Sequence, residues 1–98
     1  MAQPSIDQDV AEALSADIEN IPGVAGFTGG PFGIVALYYP GVKLTGLDVK
    51  DGRLHVHVSY DAASHVPIPA VAQSIRDAAA HRNGLGSMPV DVFFEDAT

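Results

Sequence analysis

Apolar and polar residues alternate along RLHVHVSY, residues 53–60. Because a strand places successive side chains on opposite faces, this pattern predicts a strand with one buried face. The following IPAVAQSIRDAAA, residues 68–80, has apolar residues at helical spacing, namely Ile68, Val71, Ala72, Ile75 and Ala79. A helix lying on the strand covers both apolar surfaces, so the chain is organised around this strand–helix pair.

Two more elements flank that pair. Residues 5–20 have an apolar stripe at helical spacing and predict a first helix, with Ser5 as N-cap and Gln8 completing a capping box. Residues 90–94, VDVFF, alternate again and predict a final strand. A strand, a helix and a strand in one small sheet form a parallel crossover, so this last strand is expected parallel to residues 53–60 when they are neighbours.

The dipeptide Asp51-Gly52 is the strongest local signal in the chain, because it is typical of a two-residue hairpin turn. Such a turn sets the pairing of the strands on either side of it. It predicts Asp48 opposite His55 and Leu47 opposite Val56.

The strand before that turn, residues 42–50, changes its alternation at Gly46. One inserted residue restores the alternation, so the pattern predicts a β-bulge at Gly46, with Leu44 facing Val58 beyond it. Pro40-Gly41 predicts a further turn, which joins a strand over residues 34–39. If this turn is two residues long, Leu37 faces Leu44 and Tyr39 faces Val42.

These elements predict a single α+β domain over residues 1–98, in the order α-β-β-β-α-β. Two helices pack on one face of a mixed, mostly antiparallel sheet, and a short strand near Val24 can join it. We call the sheet face turned away from the helices the outer face. The side chains expected on it are Ile34, Ala36, Tyr38, Lys43, Asp48, Lys50, His55, His57 and Phe93.

Charge and composition exclude several functions. Twelve acidic and five basic residues give a net charge of −7, which repels nucleic-acid phosphates and anionic membrane surfaces. The chain has no Cys, and its longest uncharged stretch is broken by Gly and Pro, which argues against direct membrane insertion. We therefore expect no nucleic-acid partner and no cofactor.

Two imidazoles and a carboxylate suggest one chemical alternative. His55 and His57 lie two residues apart on a strand, so both side chains leave the same face, and Asp48 is expected opposite His55. These three groups could hold zinc with an open fourth position, or they could be ordinary outer-face residues. No catalytic constellation is present: the G-x-S-x-G motif is absent and no pair of carboxylates is placed for acid–base work. The sequence therefore predicts a protein that is not an enzyme.

Apolar side chains on the outer face indicate binding to another protein. Ile34, Tyr38 and Phe93 should all point away from the helices, and His57 lies beside them. Contiguous aromatic and aliphatic side chains on an open face mark contact sites, although singly scattered ones are normal. These four residues are the predicted partner-binding set.

The order of the segments resembles the alkaline shock protein family of bacterial envelope-stress proteins. The similarity covers NIPGVAGFTGG, YYPGVKLTGLDVKDGRLHVHVSY, VPIPAVAQSIRDAA and PVDVFF, nearly the whole chain. The short chain resembles the compact actinobacterial-type members. The link DAASHVP, residues 61–67, is slightly longer than the usual step from strand to helix in that family.

The resemblance implies a cytoplasmic, non-enzymatic protein. Members of the family are abundant, assemble with one another and can be held at the inner face of the cell membrane by a membrane-anchored partner. They act in cell-envelope stress and homeostasis. The resemblance carries over no catalytic or metal-binding residue.

Overall fold

The computed structural model describes residues 6–82, 86 and 88–97. Its elements in chain order are α1 (Gln8–Glu19), β1 (Val24–Phe27), β2 (Ala36–Tyr39), β3 (Val42–Thr45), β4 (Leu47–Lys50), β5 (Arg53–Tyr60), a 3₁₀ turn (Ala62–Ser64), α2 (Ile68–Ala80) and β6 (Val90–Ala97). The predicted α+β fold is confirmed. It includes β1 as a short extra strand, and the predicted 42–50 strand is divided into β3 and β4.

Strand β5 is the centre of the main sheet. One of its edges pairs antiparallel with β4 in its first half and with β1 in its last, while β6 runs parallel along the other edge. The register predicted from the Asp51-Gly52 turn is confirmed, with Asp48 opposite His55 and Leu47 opposite Val56. The parallel pairing of the last strand is confirmed as well.

The hydrophobic core fills the space between this sheet and the two helices. Its largest fully buried side chains are Leu14, Ile18, Leu47, Leu54, Val56, Val58, Val71 and Ile75. They come from both helices and from the inner faces of β4 and β5, which are the apolar positions of the sequence pattern. Burying each such side chain contributes roughly 1.5–3 kcal/mol, so this layer holds the sheet against the helices.

The helix boundaries differ from the predicted ones mainly at the first N-terminus. Helix α1 begins at Gln8, and its N-cap Asp7 makes no side-chain capping bond. The predicted cap Ser5 lies outside the described residues, and Gln8 donates a hydrogen bond to the Glu12 carboxylate instead of completing a capping box. Helix α2 begins at Ile68 with a proline in its first turn, as predicted. The predicted stop at Asn83-Gly84 also lies outside the described residues.

The prediction of a bulge at Gly46 was wrong. Strand β3 pairs only with β2 among the described strands and lies off the main sheet, so Leu44 does not face Val58. The predicted pairs Leu37–Leu44 and Tyr39–Val42 are confirmed. The backbone of His57 bonds to two different segments at this point. Its N–H donates to the Gly46 carbonyl at 2.8 Å, and its carbonyl accepts from the Thr28 N–H at 3.0 Å.

The conformation of Gly46 explains the break. Its φ of +90° is one that side-chain-bearing residues rarely adopt, and a Cβ there would lie 2.8 Å from the His57 carbonyl oxygen and 2.6 Å from the Phe27 ring. The chain therefore passes close to β5 at Gly46 in a conformation that glycine adopts readily. The change of direction there separates the β2–β3 hairpin from the main sheet.

We predict that Gly46→Ala destabilises the protein by about 2 kcal/mol or more, because it adds a backbone clash to an unfavourable φ. Gly52→Ala is the matched control: its φ is +75° and its Cβ would meet nothing within 4 Å. The control should lose only the free energy of unfolding that corresponds to the unfavourable φ, about 1 kcal/mol. Urea unfolding of both variants measures the difference, and equal losses would mean that the close approach at Gly46 is not a constraint.

Candidate functional site

The outer face is built from alternate residues of β5 and β6. The parallel register places His55 beside Asp91 and His57 beside Phe93, and β4 adds Asp48 next to His55. The predicted outer-face assignment therefore holds for the main sheet. The face brings imidazole, aromatic and carboxylate groups together within two neighbouring strands.

A charged cluster occupies the end of this face near the Asp51-Gly52 turn. Arg53 donates two hydrogen bonds to the Asp91 carboxylate, at 2.7 and 2.8 Å. The Nε2 atom of His55 lies 3.5 Å from the same carboxylate. The hydrogen bond from Arg53 is the main cause that lowers the pKa of Asp91 below its ordinary value, and the positive charge of Arg53 lowers it further.

His57 is on the predicted face, but the expectation that it is exposed was wrong. It is only 7% exposed, and its ring is stacked on Phe93 with centroids 4.5 Å apart. The loop over residues 28–35 covers it, since a Cβ at Gly30 would lie 3.5 Å from its Nδ1 atom. His57 thus packs against Phe93 from the neighbouring strand and offers little contact area to a partner.

Two buried polar atoms lie where that loop crosses β5. Among the described residues, neither Nδ1 of His57 nor Oγ1 of Thr28 has a hydrogen-bond partner. The closest charged group to the imidazole is Glu95, with an Oε2 atom 3.5 Å from Nδ1. Ala36 was likewise expected on the outer face and is buried.

The other three predicted partner-binding residues are exposed. Ile34 is 70%, Tyr38 67% and Phe93 39% accessible to solvent, and Lys43 lies over the Tyr38 ring at 5.8 Å. Phe32, at 84%, is the most exposed large apolar side chain among the described residues. Phe32 was not among the predicted residues, because it lies in the glycine-rich segment TGGPFG, residues 28–33, outside every predicted helix and strand. A Phe at the tip of a short glycine-rich loop was the signal that could have found it.

The metal-binding alternative finds no support in this geometry. Asp48 is opposite His55 as expected. His57, however, is directed to the β6 side, where it contacts Phe93 and Glu95. Within the described parts of the chain, no group of three His, Asp or Glu side chains is arranged to hold a metal ion.

A cleft of about 280 Å³ lies in the helix layer, away from the outer face. It is lined by Asp9, Val10 and Ala13 of α1 and by His81 and Arg82, which follow α2. Arg82 is engaged in an ion pair with Asp17 of α1. This contact ties the end of α2 to α1, so the cleft is explained by helix packing.

Comparison with family models, with curated proteins and with solved structures finds no match for this chain. Neither α1 nor α2, the helices of the described residues, has the length and apolar character needed to cross a membrane. The candidate site therefore rests on its own geometry. Its exposed apolar side chains are Phe93 on β6 of the main sheet, Phe32 and Ile34 in the loop over residues 28–35, and Tyr38 on the separate β2–β3 hairpin.

We predict that Asp91→Asn reduces the sensitivity of the fold to acid. Since the folded-state pKa of Asp91 is depressed, its contribution to stability is present above its ordinary pKa of 3.8 and is lost as the pH falls through the lower folded-state value. Unfolding by urea at several pH values between neutrality and about pH 2 measures this loss, which should be smaller in the variant.

The control is Asp48→Asn, which changes a carboxylate on the same face that makes no side-chain hydrogen bond to another described residue. It should retain the acid sensitivity of the parent protein. If Asp91→Asn also retained it, the Arg53 contact would not be stabilising the ionised carboxylate.

Proposed function

We propose that the protein is a non-enzymatic interaction protein that self-assembles and binds a protein partner through its outer face. In this proposal it acts in the cytoplasm in cell-envelope stress or homeostasis, and a membrane-anchored partner holds it at the inner face of the membrane. The resemblance of its sequence to the alkaline shock protein family supports the cellular part of the proposal. The exposed apolar side chains support the binding part.

The distribution of those side chains is the observation that carries the proposal. Of the five large apolar residues exposed in the described part of the chain, one, Ile68, is on a helix. The other four are Phe32, Ile34, Tyr38 and Phe93, from the loop over residues 28–35, from β2 and from β6. Aromatic residues that remain exposed are typical of protein interfaces, where they supply much of the contact energy.

The packing of Phe93 against two histidine rings of β5 favours binding over accidental exposure. Its ring is held by the stack on His57 and by an edge contact with His55 at 5.4 Å. Such a ring loses little side-chain freedom when a partner covers it, so less conformational entropy opposes association. Phe93 is therefore the expected centre of the interface.

We predict that Tyr38→Ser and Phe93→Ser each weaken self-association or partner capture by at least about tenfold, the scale of losing an aromatic anchor. Ile68→Ser is the matched control, because Ile68 is 43% exposed but belongs to α2. Light scattering and crosslinking report self-association, and pull-down from soluble and membrane fractions reports partner capture. Circular dichroism confirms that each variant is folded.

Equal association of all three variants with the parent protein would contradict an interface on the outer face. Loss of association in Ile68→Ser alone would move the interface to the helix layer.

A further inference from the structure

We infer that the free edge of β6 binds an extended protein segment in which basic and apolar residues alternate. The segment pairs with β6 as one more strand of the main sheet, a known mode of peptide recognition. This surface is the edge of the sheet and not its outer face, so the inference goes beyond the proposed function. Three features of β6 carry it: unpaired backbone groups, partly buried apolar side chains and an uncompensated negative charge.

The backbone groups along this edge have no partner strand. Among the described strands, only β5 pairs with β6. The Leu54 N–H donates to the Pro89 carbonyl at 2.9 Å, which fixes the phase of the parallel ladder. Alternate residues therefore turn their backbone groups away from β5, namely Val90, Val92 and Phe94. A row of such groups at a sheet edge is a template for another strand.

The start of the edge is already covered. The Nε atom of Arg76, from α2, donates a hydrogen bond to the Val90 carbonyl at 3.4 Å, which agrees with the outward direction of that group. The outward groups of Val92 and Phe94 have no described strand beside them. A register shift between Phe94 and Asp96 then interrupts the regular ladder. The available edge is therefore short and suits a single extended segment.

The side chains next to the edge determine the composition of the segment. On the helix side, Val90, Val92 and Phe94 pack against the core and are only partly buried, so apolar side chains of an added strand complete their burial. On the outer side, Phe93 is exposed, and the Glu95 carboxylate lies beyond it. Basic side chains can contact both the ring and the carboxylate. The two sides together specify alternating apolar and basic residues.

The charge at the end of β6 is negative. Glu95 and Asp96 are adjacent there, and Asp61 follows the neighbouring end of β5. The imidazole beside Glu95, that of His57, is charged only when it is protonated. A segment that brings Lys or Arg to this end therefore supplies the missing positive charge.

The five Lys and Arg residues of the chain lie in other places. Lys43 belongs to β3, which joins the main sheet on the side of β5 opposite to β6. The others are Lys50 and Arg53 beside the Asp51-Gly52 turn, Arg76 at the start of the edge and Arg82, which is paired with Asp17. None of them neutralises the carboxylates at the end of β6.

A second copy of the chain is a poorer occupant of this edge. Two β6 edges in parallel place the Glu95 carboxylates of the two copies next to each other. In the antiparallel orientation, the same carboxylates meet Asp91, which Arg53 already pairs. Neither arrangement gains attraction, whereas a basic segment is attracted by these carboxylates and by the net charge of −7.

The first test measures amide hydrogen exchange of the whole chain by NMR, with the peptide acetyl-Lys-Val-Lys-Val-Lys-Val-Lys-amide as probe. In the free chain, the amides of Val92 and Phe94 should be less protected than those of Asp91 and Phe93, which point to β5. At about ten times its Kd, the peptide should slow exchange at Val92 and Phe94 about tenfold, because exchange then requires dissociation.

The matched control is the same peptide N-methylated at every residue. It keeps the positive charges but has no N–H groups to donate, so it should not protect Val92 or Phe94. No slowing by the first peptide, or equal slowing by both peptides, would overturn the inference.

The second test asks whether the charge at the end of β6 selects the peptide. The double variant Glu95→Gln, Asp96→Asn should raise the peptide Kd at least about fivefold, the effect of losing two exposed charge contacts. The control Glu12→Gln, Glu19→Gln changes the net charge equally, but on α1, and should bind like the parent protein. Fluorescence anisotropy of labelled peptide gives the Kd, and circular dichroism confirms folding. Equal affinity of the two double variants would overturn the inference.

These outcomes are separate from the test of the outer face. If the peptide protects Val92 and Phe94 while association and capture do not depend on Tyr38 or Phe93, the inference stands and the proposed function is contradicted. If Phe93→Ser loses capture but the peptide does not protect the edge, the proposed function stands and the inference fails. If a higher concentration of the chain alone protects the edge, a second copy occupies it and the inference fails.

Discussion

The close approach of Gly46 to the backbone of β5 is the constraint on which the rest of the structure depends. The Gly46 carbonyl accepts the His57 N–H, and the Gly46 N–H donates to the Val35 carbonyl at 2.8 Å. One residue thus connects the main sheet to the segment that leads into β2. The positive φ of Gly46 changes the direction of the chain, so β3, which precedes Gly46, lies off the main sheet, and residues 27–28 pair with β5 in its place.

The replacement of β3 by residues 27–28 along β5 determines the form of the outer face. The loop that follows β1 crosses over His57, buries it and carries Phe32 and Ile34 outward. His57 in turn supports Phe93 through ring stacking. The break between β3 and β4 is therefore accompanied by a loop that carries the exposed Phe32 and Ile34 and by a stacked His57–Phe93 pair on the outer face, while the helices and the inner faces of β4 and β5 form the core.

Local chemistry made much of this fold predictable, and contacts between distant segments decided the rest. The Asp51-Gly52 turn and the two periodicities were sufficient for the β4–β5 register, for α2 and for the parallel last strand. A slip in alternation at Gly46 was visible, but a bulge and a break produce the same slip. The choice between them depends on whether Thr28 or residue 45 pairs with His57 at the edge of β5. These positions are 29 and 12 residues from His57 in the sequence. Burial of His57 depends on the loop over residues 28–35, so the alternation predicted the face of this side chain but not its exposure.

The most direct test of this account is a concentration series of amide NMR spectra of the unmodified chain. We predict that dilution shifts the signals of residues 32–34 on the loop, 53–55 on β5 and 93 on β6, and leaves those of α1 and α2 unchanged. Shifts confined to the helices would contradict the account. It would also be contradicted if the spectra did not change with concentration and the loop signals did not shift when a captured partner was added.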